Sequence, residues 1–193
     1  MSSHYYAMLF RMKYIKRWAL MHNLREENLS EHSLETAFIA HALAVIENRR
    51  FNKNITAEKV CLVALFHDTH EILTGDLPTP VKYYDEDIKS SYKKIETVAE
   101  QRLINMIPED LREDFLDVYE VKDQQIEKIV KAADKLSALI KCEEEISLGN
   151  KEFLIAKKQT EKALDNIKLD SIKVFKKEFL PSFLLPLDSQ NVL

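Results

Sequence analysis

Two histidines and two aspartates, His32, His67, Asp68 and Asp134, are the residues of this chain whose types and spacing best support chemistry. His32, His67 and Asp134 come from three different segments with apolar residues at helical spacing, and Asp68 directly follows His67. An ionisable side chain on such a stripe is costly to bury unless it is paired or bound to metal. A lone interior histidine is more often a hydrogen-bonded core residue, but the four together form a set of borderline and hard donors. That set suits manganese, cobalt, zinc or iron and is poorer for copper(I) or calcium. Four protein ligands on an ion that accepts five or six leave positions for water and substrate. A divalent ion can bring the pKa of a bound water down to about 7, so a nucleophile is available near neutrality with no Ser/His or Cys/His pair. Glu71, one turn after His67, falls over the same helical face and is placed to orient or deprotonate that water without being a ligand.

These residues need helices to position them. Leu9, Met12 and Ile15 recur at helical spacing, with Arg17 and Trp18 at or just beyond that helix's end. Asn28 and Ser30 offer capping oxygens ahead of a second helix, whose expected stripe is Leu34, Ala37, Phe38, Ala42, Val45 and Ile46. Thr56 can cap a third, with Val60, Val63, Ala64, His67 and Glu71 on one face and Gly75 as its stop. Consecutive His67 and Asp68 are then about 100° apart around the axis, so a second helix must close any shared site. Asp76, Leu77, Pro78, Thr79 and Pro80 read as a stiff loop. Periodicity resumes at Ile88, Tyr92, Ile95 and Val98. A long helix from Asp123 to Leu148 faces Ile126, Ile129, Val130, Ala133, Ala138 and Ile140 inward, with Asp134 on its edge. Two further helical stretches, residues 153–167 and 171–180, precede an apolar tail.

Composition narrows the function classes. The chain has 193 residues, 28 basic and 32 acidic, a formal net charge of −4, and only two glycines. That balance excludes a strongly basic nucleic-acid binder, and so few glycines argue against an all-β fold or a glycine-rich phosphate loop. The expectation is an all-α, single-domain helical bundle spanning residues 1–193. No apolar run is long enough for a membrane span, and Arg11, Lys13 and Lys16 interrupt the N-terminal segment, so no signal peptide is expected. Cys61 and Cys142, outside any Cys-x-x-Cys spacing, fit reduced thiols of a cytoplasmic protein.

Several motifs extend the pattern: Arg17-Trp18, Ser30-Glu31-His32-Ser33, the run from His67 to Pro80, and Ala132-Ala133-Asp134-Lys135-Leu136. In order and spacing the chain resembles the HD-domain phosphohydrolases, and within them the bacterial 5′-deoxynucleotidases. The resemblance implies a helical homodimer that removes phosphate from deoxyribonucleoside 5′-monophosphates with a divalent cation, cobalt or manganese first, with zinc, iron or copper as alternatives. It implies His32, His67, Asp68 and Asp134 as metal ligands, His32 also bordering the substrate, Glu71 serving the attacking water, and Arg17 clamping the phosphate. Asp76 would contact the deoxyribose 3′-hydroxyl, and Leu77, Pro78 and Thr79 would wall the sugar.

The physical chemistry is compatible with these roles. Arg17 presents a planar fork to phosphate oxygens, and Trp18 can orient the phosphate through its indole N–H or by packing, a core anchor being its alternative. A site closed tightly around the deoxyribose rejects a 2′-hydroxyl. His70 reads as a non-ligand, with a second metal as the minority alternative, and His41 as a packed residue. Glu143 to Glu145 read as a solvated helix face. Lys157-Lys158 and Lys176-Lys177, without aromatic interleaving, read as surface charge and not as a track for a nucleic acid polymer. Rival activities are another HD-type hydrolysis, of a triphosphate or cyclic phosphate, or a silent nucleotide-binding protein; Glu71 argues against silence.

Overall fold

Helices α1 (Tyr5–Leu9), α2 (Leu29–Arg50), α3 (Ala57–Phe66), α4 (Glu71–Thr74), α5 (Thr79–Lys82), α6 (Glu86–Ile104), α7 (Arg112–Tyr119), α8 (Gln124–Ser147), α9 (Leu154–Asp165) and α10 (Asp170–Glu178) make up the computed structural model, joined by short 3₁₀ turns. It describes residues 2–82 and 84–190, apart from the side chain of Thr79. Among these residues there is no β-strand, only an isolated antiparallel bridge between Lys16 and Asn28.

The two longest helices form the centre. α2 packs on α3, α8 and α10, while α8 also meets α3 and α9. Ala40 and Leu43 of α2, Val60 and Ala64 of α3, and Ile129, Ala133, Leu136 and Leu139 of α8 are fully enclosed. Burying each large aliphatic side chain contributes about 1.5–3 kcal/mol. A smaller cluster, built on Tyr5, Leu103 and Ile107, joins α1 to the end of α6.

Local sequence sets the helix ends. Asn28 accepts from the backbone of Ser30 and Glu31 at 3.0 and 3.1 Å, and Glu31 accepts back from the Asn28 amide, a capping box that starts α2 three residues before His32. Asp123 caps α8 by accepting from the amides of Gln125 and Ile126. Gly149 follows α8 at φ 91° and Gly75 follows α4 at φ 74°, left-handed values that glycine adopts most readily.

Five expectations are corrected. The helix expected from Thr56 to Gly75 is broken at residues 67–70. His67 Nδ1 lies 2.6 Å from the Ala64 carbonyl and the Thr69 hydroxyl donates to the Phe66 carbonyl at 2.9 Å, so side chains engage acceptors of the main-chain ladder. The chain tightens there, with the Glu71 amide donating to Asp68 and the Ile72 amide to Thr69. On α2, Ala37 and Ile46 are buried as expected, but Leu34, Phe38 and Val45 are exposed. The inward face carries Ile39, Ala40, Leu43 and Ala44 together with His32, Ser33, Thr36 and Glu47, polar residues that interrupt its apolar period and mislead the reading of the face. The 76–80 loop ends in α5, whose first turn tolerates Pro80 because a proline there forfeits no helical hydrogen bond. His41 is exposed, not packed. Glu145 is buried, not solvated. It accepts from the amides of Leu24 and Arg25, from Lys141 and from Asn150; burial would raise its pKa, but these donors hold it down at about 2. The C-terminal apolar tail forms a 3₁₀ turn, Leu180–Leu184, against α8 and α10.

Candidate metal centre and substrate cavity

The three central segments meet around His32, with Asp134 reaching it there and standing outside the mutual 4.8 Å grouping of His32, His67 and Asp68. His32 comes from the first turns of α2, His67 and Asp68 from the tightened turn after α3, and Asp134 from the middle of α8. His67 Nε2 lies 3.0 Å from Asp68 Oδ2, and His32 Nε2 lies 3.7 Å from Asp68 Oδ2 and 3.3 Å from Asp134 Oδ1. One donor atom from each of His32, His67 and Asp68 falls within 4.8 Å of the others.

The imidazoles decide what this centre can hold. Nδ1 of His67 donates to the Ala64 carbonyl, and Nδ1 of His32 faces Ser137 Oγ at 3.2 Å and Glu27 Oε1 at 3.4 Å. With the proton on Nδ1, each ring turns an Nε2 lone pair inward, and both Nε2 atoms are buried with no hydrogen-bond partner. Two bare imidazole nitrogens beside two carboxylates are costly in a protein interior unless a cation joins them. The residues present therefore fit a divalent metal. Burial would raise both aspartates, yet positive charge at the two imidazoles, whether a proton in the metal-free protein or a bound cation, holds Asp68 well below the ordinary carboxylate range, and Lys135 with His32 does the same for Asp134.

Residues 4–183 match the family model described as 5′-deoxynucleotidase YfbR-like. The chain belongs to the YfbR-like family. It is 50% identical over 189 residues to a 5′-deoxynucleotidase of Enterobacter sp. strain 638, covering 96% of this chain and 94% of the relative. It is also 50% identical to a 5′-deoxynucleotidase of Yersinia pestis strain Pestoides F, covering 96% and 95%. Among solved structures, an HD-domain phosphohydrolase from Listeria innocua matches with a TM-score of 0.81 at 25% identity, over 97% of this chain and 91% of that one. The cyanophage S-2L HD phosphohydrolase DatZ, bound to dA and one catalytic Zn2+, shares the fold with a TM-score of 0.64 at 18% identity, over 91% and 96% of the two chains.

In this YfbR-like chain a cavity of about 310 Å³ opens beside the centre. Arg17, Asp76, Asp134 and Lys135 supply charged walls, Trp18, Leu77 and Pro78 apolar ones, and α9 contributes Gln159 and Thr160. Arg17 reaches towards the centre, its Nη1 3.8 Å from Asp68 Oδ2. The side chain of Thr79 lies outside the described residues. Trp18 lines the cavity, but its indole N–H donates to Glu27 Oε2 at 2.9 Å, so in this conformation it meets the cavity by packing alone. Glu71 stands behind the centre, 4% exposed, with Oε2 unpartnered. Burial first, then the charges of Asp68 and Asp76, push its pKa up to about 9. Asp76 is raised as well, chiefly by burial, with Arg17 opposing.

His70 is buried and faces α6, its Nε2 3.5 Å from Glu96 Oε1 and its Nδ1 3.7 Å from Glu100 Oε1. Asp68, His70 and Glu71 do form a second close grouping. Lys82, however, already pairs with Glu96 at 2.6 Å, and the two ring nitrogens face different carboxylates, which suits an ion-pair network better than a second cation. Sequence reasoning passed over Glu27, an acid in a loop with no periodicity to mark it. Its position directly before the helix cap was the one available signal.

Proposed function

We propose that this chain hydrolyses deoxyribonucleoside 5′-monophosphates to deoxyribonucleosides and phosphate. The family and its 50%-identical relatives named 5′-deoxynucleotidase support the reaction, and DatZ's bound dA and Zn2+ support a metal and a deoxynucleoside in this fold. The observation that carries the reading is the pair of bare, buried Nε2 atoms of His32 and His67, set beside Asp68 and Asp134 with an arginine at the adjoining cavity.

In this reading His32, His67, Asp68 and Asp134 hold the metal, cobalt or manganese first. When bound, the cation offsets the two aspartates, polarises the phosphate and activates the attacking water. Arg17 binds phosphate oxygens through the guanidinium nitrogens that face the cavity and stabilises charge that grows in the transition state. Glu71 is protonated while Asp68 and Asp76 repel it. Once the charge of Asp68 is offset, it ionises and takes the water's proton at its carboxylate. Asp76 accepts from the 3′-hydroxyl, and Leu77, Pro78 and Thr79 close around the sugar so that a 2′-hydroxyl is crowded or unpaired.

Two further assignments go with this one. The exposed Leu34 and Phe38 on the outer side of α2, and the groove lined by Phe10 and Leu65, support a homodimer. No described helix is long and apolar enough to cross a membrane, and the free thiols Cys61 and Cys142 support a cytoplasmic setting.

The test is phosphate release from dAMP, AMP and 3′-dAMP with each of several divalent metals, alongside Glu71→Ala. Turnover of dAMP well above AMP is expected, with 3′-dAMP poor because its phosphate occupies the 3′-oxygen that would meet Asp76 and its 5′-oxygen carries none. Equal turnover of AMP and dAMP defeats the deoxyribose assignment. Pyrophosphate release from a triphosphate in preference to these substrates would move the activity to the rival HD reaction.

A further inference from the structure

Behind the wall of the cavity, one buried carboxylate meets three of the groups just described. Glu27 is 8% exposed. Its Oε1 accepts from Arg17 Nε at 3.1 Å and lies 3.4 Å from His32 Nδ1, while its Oε2 accepts from Trp18 Nε1 at 2.9 Å. We propose that Glu27 is the positioning residue of this site: it fixes the plane of the phosphate clamp, the aim of a metal ligand and the tilt of the cavity's aromatic wall together. The inference rests on the assignment of Arg17 to phosphate and His32 to metal.

Each contact has a separate consequence. A guanidinium carries five N–H donors in a rigid fork. Tying Nε to Glu27 orients the plane and leaves the four terminal donors for the side where Asp68 and the cavity lie. An imidazole ligand must keep its proton on the far nitrogen, and an acceptor there sets the tautomer; for His32, Glu27 shares that task with Ser137. Trp18 sits at φ 56°, a left-handed conformation that bulky residues rarely adopt without enforcement. The bond from its indole to Glu27, the bond from Asn23 to its carbonyl at 3.1 Å, and the Phe153 ring at 5.3 Å hold it there.

The main chain is secured independently. The Arg17 amide donates to the Glu27 carbonyl at 3.0 Å, and the Leu29 amide to the Ile15 carbonyl at 2.9 Å. Changing the Glu27 side chain therefore leaves the loop's backbone pairing in place, and a change in function can be told from a change in fold.

Glu27→Gln keeps the shape and removes the charge. Its amide offers one acceptor and an NH2 group to three donors, so at least one of Arg17, Trp18 and His32 loses its partner. Three measurements follow on the purified full chain. Metal-free protein titrated with Zn2+ or Co2+ against a chromogenic chelator should bind about 10–100-fold more weakly, the usual range for loss of a group that orients a metal ligand. Emission from Trp18, the single tryptophan of the chain, should shift to the red as the indole loosens. The KM for dAMP, measured at saturating metal, should rise at least tenfold, and by a clearly smaller factor when the same substitution is made in an Arg17→Ala background, because the part that passes through Arg17 is then gone.

Glu27→Asp keeps the charge but withdraws it by one methylene, and should show the same losses at smaller size; it carries the test if the glutamine variant does not fold. Metal affinity within twofold of the parent in both variants overturns the inference, as does a KM effect that is undiminished without Arg17. If the parent protein releases no phosphate from any deoxynucleotide, the substrate assignment fails, while the chelator competition and the fluorescence still judge Glu27.

Discussion

Glu27 and Glu71 border the same centre, Glu27 beside His32 and Glu71 beside Asp68, and both are nearly sealed from solvent, yet their surroundings drive them to opposite charge states. Glu27 faces donors. Burial alone would raise its pKa, but the bond to His32, the Arg17 guanidinium and the Trp18 N–H hold it below its ordinary value. Glu71 faces other acids, and burial together with Asp68 and Asp76 keeps its proton on to about pH 9. A buried carboxylate thus acquires its character from what it meets: ringed by donors it is a fixed anion suited to holding others in place, and ringed by anions it keeps a proton that a nearby change of charge can release.

The sharpest way to break the contrast is to remove what is proposed to connect its two halves. Chelation of the metal, or Asp134→Ala, should reduce dAMP hydrolysis to background, with recovery on adding back cobalt or manganese only in the chelated parent. Next in size is Glu71→Gln, which should lower kcat by about 10²- to 10⁴-fold, the range for loss of a positioned acid–base group, with metal binding retained.

That substitution also sharpens the comparison through pH. Between about pH 4.5 and 9 the folded metal-free protein keeps a proton on Glu71 that the unfolded chain releases. The native state then binds more protons, so this group's contribution to stability falls as pH rises through that window. Glu71→Gln removes the dependence, and thermal unfolding of metal-free protein should show a larger gain in Tm at pH 8 than at pH 5. Glu27 has the opposite sign: its stabilisation is present above its ordinary pKa and is lost as pH falls.

Arg17→Ala takes away one of the three donors of Glu27 and should raise KM for dAMP by roughly 10- to 100-fold, as expected for hydrogen bonds to a charged group worth about 1.5–3 kcal/mol. Smallest is Asn28→Ala, which removes the cap of α2 and should lower unfolding free energy by about 1 kcal/mol in denaturant titration while leaving the metal affinity of the folded protein unchanged.

How much of this was legible in the sequence depended on which force set each feature. α8 was legible because its core face is apolar: Ile126, Ile129, Val130, Ala133, Ala138 and Ile140 are all buried. α2 was legible as a helix but not in its orientation, since the face turned inward is the one that bears His32, Ser33 and Thr36. The break at residues 67–70 was hidden because it arises from side chains bonding backbone carbonyls within a single turn. The histidine and aspartate pattern was plain, because its donor set and order reach across the chain. Glu27 and the burial of Glu145 were not, since each depends on partners brought in by tertiary packing, Glu145 on the 24–25 backbone from more than a hundred residues away.

The bridge between Lys16 and Asn28 closes the intervening residues into a loop whose two ends are joined. Below that junction the chain is committed to α2 and its cap; above it, Trp18 to Met21 turn back on themselves and Leu20 is largely exposed. A protease cut near Leu20 should therefore leave two fragments that stay associated, with Arg17 on one and His32 on the other. By the same geometry, substitutions confined to Ala19, Leu20 and Met21, which line the cavity, reshape that wall without shifting the register of the groups proposed to meet the metal.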